Sequence, residues 1–325
     1  MSESGDYSPA PWAAGHDFKS QRAVYDQHAG RSYAAATAAN VKAGDLVPAS
    51  IETQSGHPLL IRCDVSGSMG GWPNTIFAKL GYMDHELRTE YLGEDMEVSF
   101  GAISDTSDSY PLQVKPFVKG ADLQSALKFV IGGGSGPGTY CEAHGVSALF
   151  DIHNVRTPQA LTAPPLIIIT DEMPYEQVSK SDAKGFAKVS VESAQTATTI
   201  FRELMKRYSV YVILKPYGSE SLREDTLSGV TEEVHKRWVE IVGAQRIALL
   251  PEADRVVDVI FGILAEDVGR TDYFRKELTG RQTPAQVKVV YESLSSIHKL
   301  PPAGASKKLP APVAGGSTLH SRKKS

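Results

Sequence analysis

The sequence predicts an α/β fold: a doubly wound, mostly parallel sheet with one antiparallel edge hairpin and helices on both faces. Three observations carry that expectation. Segments that read as strands alternate with segments that read as helices, the order that builds βαβ units. The run Leu166-Ile167-Ile168-Ile169 is continuously apolar, as a strand buried on both faces must be. Strand-like residues 96–103 and 112–117 are joined by a polar loop too short for a parallel crossover, so they pair as a hairpin.

In order, residues 1–47 form an N-terminal extension that opens with Pro, Ser and Gly and then reads helical over 19–41, with Gly30 as an interruption. Phe18, Tyr25 and Tyr33 give that helix a face that covers the domain or a partner. The main domain, 48–268, is expected to run strand 59–64, helix 75–91, the hairpin strands, helices 122–130 and 142–153, and strand 166–170. It continues with helix 191–208, strand 210–215, helix 232–242, strand 246–249 and helix 253–264. Residues 269–298 hold two further helices, 272–278 and 284–297. The second opens on Thr283-Pro284, an N-cap followed by proline at the first helical position. From 299 to 325 Pro, Gly, Ala and Ser dominate, aromatics vanish, and a disordered tail is expected.

A chain of 325 residues with 41% hydrophobic residues can bury a sizeable core. The tail carries six basic residues and no acid, which against the chain total of −4 leaves a body of −10. An acidic body argues against a nucleic-acid-binding face, except through the tail. The apolar stretches fall short of the roughly 20 residues that span a bilayer, and the first residues lack the basic and apolar regions of a signal peptide. The expectation is a soluble, cytoplasmic protein. Only Cys63 and Cys141 occur, so no disulfide framework or Cys-rich zinc cluster is available. Cys63 reads as a small buried hydrophobe. Cys141 has His144 three residues on, on the same helical face, but no third orienting group completes a nucleophilic constellation.

The chemistry concentrates in three segments. Asp64-Val65-Ser66-Gly67-Ser68 places a carboxylate and two hydroxyls at the end of the first strand. The glycine-rich run 132–138 ends at Thr139, and the strand 166–170 stops at Asp171-Glu172. In an open parallel sheet ligands collect outside the carboxyl ends of the strands, where strand order reverses, so neighbouring strands would bring these oxygens into one crevice. Hard oxygen donors of this kind suit Mg²⁺. Ser, Gly and Asp are also the ordinary residues of a strand-to-helix turn, so each segment alone decides little. Asp105 and Asp108, in the hairpin loop, read chiefly as solvated turn residues.

This ordered set resembles the metal-ion-dependent adhesion site (MIDAS) of von Willebrand factor A (vWA) domains, a Rossmann-like fold. Asp64, Ser66, Ser68, Thr139 and Asp171 fill the five positions of its pattern. Asp64-Val65-Ser66-Gly67-Ser68-Met69-Gly70, Trp72-Pro73, Ile76-Phe77, Pro111-Leu112-Gln113-Val114 and Asp171-Glu172-Met173-Pro174 are similar to intracellular bacterial and phage members, over roughly residues 50 to 215. Those members carry Glu-Ser-Tyr-Glu after the glycine-rich loop. This chain has Thr139-Tyr140-Cys141-Glu142, which makes Glu142, and after it Asp105, alternative donors.

The resemblance implies a non-enzymatic, metal-dependent protein-interaction module. Its Mg²⁺ (or Mn²⁺) would receive an acidic side chain of a partner, and a ring-shaped AAA+ ATPase or a multiprotein assembly is the partner class suggested. Two alternatives stand beside it. A Mg²⁺-dependent phosphatase using Asp64 would want a second Asp where Ser66 stands and a phosphate-binding cation, whereas the only one in the three segments, Arg62, lies within the strand. A metal-free scaffold would leave the five donors without a ligand.

Overall fold

The computed structural model describes residues 33–120, 122–123, 130–134, 138–217 and 227–297. The helical reading of 19–32, most of the helix expected over 122–130, part of the glycine-rich loop and the tail lie outside the described residues.

The central sheet is built from β1 (Pro58–Asp64), β2 (Glu97–Ile103), β3 (Leu112–Val114), β4 (Pro165–Thr170), β5 (Ser209–Leu214) and β6 (Ile247–Leu249). Their spatial order is β6-β5-β4-β1-β2-β3. All neighbours are parallel except β2 and β3, which pair antiparallel through Gly101 with Val114 and Ile103 with Leu112. The doubly wound α/β fold with an antiparallel edge strand is therefore present, in a mostly parallel, Rossmann-like sheet. Chain order leaves β1 in one direction toward β2 and returns on its other side at β4. The β1/β4 junction is the topological switch point.

Alternation along the strands divides the apolar residues between two cores. Leu59, Ile61 and Cys63 of β1 share one core with Phe100, Ile167 and Ile213. The helices over that face are α2 (Trp72–Glu86), α7 (Val256–Val268), α8 (Thr271–Arg281) and α9 (Pro284–Ser293). Leu60, Leu166, Ile168 and Val212 face the other core, covered by α3 (His144–Asn154), α5 (Ala197–Leu204) and α6 (Gly229–Val242). Phe274, Leu278, Val290, Leu294 and Ile297 belong to the first core, so the last helices pack on the sheet itself. Thr283 caps α9 and forms a full capping box with Gln286, as the Thr-Pro signal implied.

Helix α7 is apolar almost all round because it is covered on every side. Gly262 marks its closest approach. A Cβ there would lie 2.2 Å from Leu294 Cδ1 and 3.1 Å from Phe274 Cζ, both on fully enclosed side chains. Gly262→Val is therefore expected to overpack this junction and cost about 1–3 kcal/mol. A lowered urea midpoint would register it, and an unchanged midpoint would mean that α9 is free to shift.

Several boundaries differ from the sequence expectation. Helix α3 begins at His144, while Cys141–Glu142 is a short strand paired with Met173–Pro174. Cys141 and His144 consequently do not share a helical face. The expected helix 191–208 is helical only over α5, because Thr196 accepts from the Thr199 N–H and fixes the N-cap there. Gln195–Thr196 instead pairs antiparallel with Gln177–Val178, and α4 (Lys180–Gly185), capped by Ser179, had no counterpart in the sequence reading. β3 ends at Val114, and its Val114 N–H reaches Leu46 O at 2.9 Å, so the N-terminal strap covers the sheet edge. Tyr110 and Ile131 pack against Ala36 of that strap, which holds the helix α1 (Tyr33–Ala38) and a 3₁₀ turn at Ala43–Asp45. No helix among the described residues is long and apolar enough to cross a membrane.

Candidate metal-ion crevice at the switch point

Register alone brings the two aspartates together. Cys63 of β1 lies opposite Ile169 of β4, so Asp64 and Thr170 end the two strands side by side, with Asp171 one residue on. Asp64 Oδ2 accepts from the Thr170 hydroxyl at 2.9 Å, and its Oδ1 accepts from the Ser66 N–H at 2.8 Å. Asp64 is wholly buried. Burial, and secondly the Asp171 charge, push its carboxyl up to about 7.

Beyond Asp64, Ser66 leads into one 3₁₀ turn, Gly67–Met69, which presents the Ser68 hydroxyl to Asp171. Ser66 Oγ lies 2.9 Å from Ser68 Oγ, and Ser68 donates to Asp171 Oδ1 at 2.9 Å. The glycine-rich loop is laced to this turn. The Gly67 N–H donates to Gly134 O at 2.7 Å and the Gly133 N–H to Val65 O at 2.9 Å. Gly134 has to be glycine in this arrangement, since a Cβ would sit 2.1 Å from Asp108 Oδ2.

The crevice over these residues has a volume of about 310 Å³, and Thr139, Glu142, Asp105 and Glu172 also line it. The geometry separates the expected donors into two groups. Asp64, Ser66, Ser68 and Asp171 form one hydrogen-bonded chain. Thr139 stands at the exposed rim with its hydroxyl 3.3 Å from Tyr175 OH. Glu142 is buried beneath, its Oε2 without a partner. Burial, reinforced by the charges of Asp64 and Glu172, pushes the Glu142 carboxyl up to about 12. Asp105 corrects the reading of a solvated turn residue. It is buried, with Oδ2 accepting from Tyr175 OH at 2.5 Å and Oδ1 from the Ser107 N–H at 2.6 Å. Asp108 accepts from Ser104 Oγ at 2.7 Å.

Lys215 is the site residue that sequence reasoning missed. Leu214 of β5 is in register with Thr170, so the next residue stands opposite Asp171, and Lys215 Nζ meets Asp171 Oδ2 at 2.7 Å. The signal was available in the position, one residue past an apolar strand, as Asp171 follows β4. Arg62, by contrast, is spent inside the fold on Asp151. His144 donates or accepts through Nε2 with Thr170 Oγ1 at 3.1 Å, and burial lowers its pKa to about 3. The Cys141 thiol is pushed up by burial and by the Glu172 charge, so neither half of a thiol–imidazole pair is prepared for nucleophilic work. Cys63 is buried as expected, its thiol raised by burial.

Among the described residues no group of three or more His, Cys, Asp or Glu side chains is placed to hold a metal ion. The donors gathered here are instead two carboxylates and two hydroxyls. An octahedral ion with ligands at 2.0–2.1 Å sets neighbouring oxygens about 2.9 Å apart. The Ser66, Ser68 and Asp171 oxygens have that spacing. The same spacing is that of the hydroxyl hydrogen bonds these oxygens make to one another.

No family model matches the chain, and no curated protein matches it. Among solved structures it is similar to proximal thread matrix protein 1 from the mussel byssus, at 12% identity and TM-score 0.43, over 67% of this chain and 46% of that one. It is also similar to the pilus adhesin SpaC from Lactobacillus rhamnosus GG in its open conformation, at 12% identity and TM-score 0.44, over 70% of this chain and 31% of that one. The chain thus spans less than half the length of either, and likeness at this level carries no argument about activity or partner.

Proposed function

We propose that the chain is an interaction module of the vWA type that holds Mg²⁺ or Mn²⁺ at Asp64, Ser66, Ser68 and Asp171, with Thr139 or Glu142 completing the donors. The observation that carries this reading is the meeting of two carboxylates and two hydroxyls in one hydrogen-bonded chain at a switch point, with 2.9 Å between the Ser66 and Ser68 and between the Ser68 and Asp171 oxygens. A cation bound there supplies an exchangeable position that accepts a carboxylate of a protein partner. Thr170 and the Ser66 N–H orient Asp64, Lys215 orients Asp171, and the buried strand ends keep water from the lower side of the crevice. A ring-shaped ATPase is the partner class that the family resemblance suggests.

One observation favours a second reading, a metal-free scaffold. Lys215 already neutralises Asp171, and the Asp64 carboxyl is raised into the range where it holds a proton. Calorimetric titration of the chelator-treated protein with Mg²⁺ and with Mn²⁺ separates the two. Saturable binding that disappears in Asp171→Ala is the expected result. Heat-silent titration of a folded protein would leave the hydrogen-bonded cluster as a structural device.

A further inference from the structure

We propose that Lys215 sets the ion selectivity of the crevice: by holding Asp171 Oδ2 it leaves Asp171 one oxygen to offer an ion, which favours Mg²⁺ or Mn²⁺ over Ca²⁺. The inference rests on the metal-site reading and adds to it a specificity-determining residue that is not itself a ligand.

The two kinds of ion ask different things of a carboxylate. Ca²⁺ gathers about six to eight oxygens and often takes both oxygens of one carboxylate, whereas Mg²⁺ keeps several waters and needs only one or two carboxylates in a near-octahedral shell. The choice between them is decided by how many oxygens a site can turn toward the ion, and how freely.

In this crevice both carboxylates are tied on both oxygens. Asp64 Oδ1 accepts from the Ser66 N–H, and its Oδ2 accepts from the Thr170 hydroxyl. Asp171 Oδ1 accepts from Ser68 Oγ on the side of the serine turn, and Oδ2 accepts from Lys215 Nζ at 2.7 Å. A carboxylate oxygen has a second lone pair, so Oδ1 can still meet an ion beside Ser68. Turning Oδ2 to the same ion would break a charge-assisted hydrogen bond to a side chain that is wholly enclosed.

The ammonium is also fixed from its own side. The Lys215 N–H donates to Thr170 O at 2.8 Å, and Pro216 disfavours helical backbone at the residue before it. Lys215 Nζ lies 5.6 Å from the centre of the Tyr217 ring. That ring is tied down in turn, since Tyr217 OH donates to Glu172 Oε1 at 2.5 Å and the Tyr217 N–H donates to Thr231 Oγ1 at 2.9 Å. The Lys215 charge opposes any divalent ion alike, so it lowers both affinities and leaves their ratio to the count of available oxygens.

The ratio is therefore the quantity to measure. Calorimetric titration of the full chain with Mg²⁺ and, separately, with Ca²⁺ gives it for the wild type, Lys215→Met and Lys215→Arg. The wild type is expected to prefer Mg²⁺, and Lys215→Met should lower that preference about tenfold. Lys215→Arg keeps the charge and a donor for Oδ2 and should retain the preference. Lys215→Gln, polar but uncharged, gives the same comparison where methionine does not fold. A purely structural role would weaken both ions together and leave the ratio fixed. A wild type that binds Ca²⁺ as tightly as Mg²⁺ overturns the inference without any variant. A preference unchanged in Lys215→Met and Lys215→Gln overturns it too and leaves the metal site standing. Silence of the wild type and of every variant toward both ions overturns the inference and the metal-site reading together.

Discussion

Replacing Arg62 with methionine is expected to destabilise the fold by about 3–5 kcal/mol, a large share of the 5–15 kcal/mol that holds a domain together. Arg62 points from the middle of the sheet into the second core, where it and Asp151 of α3 are each 1% exposed. Nε and Nη2 fork onto the Asp151 oxygens at 3.0 and 2.6 Å, and Nη1 donates to Ser99 O at 3.0 Å. Room for the side chain comes from Gly101 on β2, where a Cβ would lie 2.7 Å from Arg62 Cδ. Removing the guanidinium leaves a buried carboxylate without its ion-pair partner, with the Arg207 charge as the remaining opposite charge acting on it. Burial outweighs even the intact pair, because the Asp151 carboxyl stays raised despite Arg62 beside it. It follows that Arg62→Met with Asp151→Leu should recover most of the loss. Urea unfolding of the two single variants and the double variant tests this cycle. Single variants costing less than about 1 kcal/mol, or a double variant worse than both, would show that the pair does not govern this core.

The sheet was legible because its physics is local. Leu166 to Ile169 could only be a strand buried on both faces, and the short 103–112 connection could only join antiparallel neighbours. Asp64 and Asp171 were legible for the same reason, since a carboxylate directly after an apolar run ends a strand at the ligand-collecting edge. What stayed hidden depends on contacts remote in sequence. The Arg62–Asp151 pair joins residues 89 apart. Lys215 reaches Asp171 through the β4–β5 register, which no spacing within one segment reveals. Asp105 looked like a turn residue because nothing in its own loop announces Tyr175 closing over it. The helix expected from 191 starts only at Ala197 because Gln195–Thr196 pair with Gln177–Val178 instead, a tertiary choice that overrides periodicity.

Asp64→Asn is expected to abolish Mg²⁺ binding and, in chelator, to make the protein more stable at about pH 8 than the wild type. The sign follows from linkage. In the folded chain burial and Asp171 raise the Asp64 carboxyl to about 7, against about 3.9 in an unfolded chain. Between those values the folded state holds a proton that the unfolded state has released. Stability is therefore greatest below about pH 4 and declines as pH rises through about 7, so far as this group is concerned. Asparagine keeps an acceptor for the Ser66 N–H without the charge, so the decline should flatten while the stability near pH 4 changes little. Metal reverses the preference, because a divalent ion binds the ionised carboxylate and must displace that proton below about pH 7. Wild-type Mg²⁺ affinity should then climb up to about tenfold per pH unit below pH 7 and level off above it. Thermal unfolding in chelator across pH, paired with calorimetry in Mg²⁺, measures both limbs on the same two proteins. A wild type whose Mg²⁺ affinity ignores pH would place the ion away from Asp64, and an Asp64→Asn variant less stable than wild type at about pH 8 would mean that the carboxylate is already compensated by its hydrogen bonds to Ser66 and Thr170.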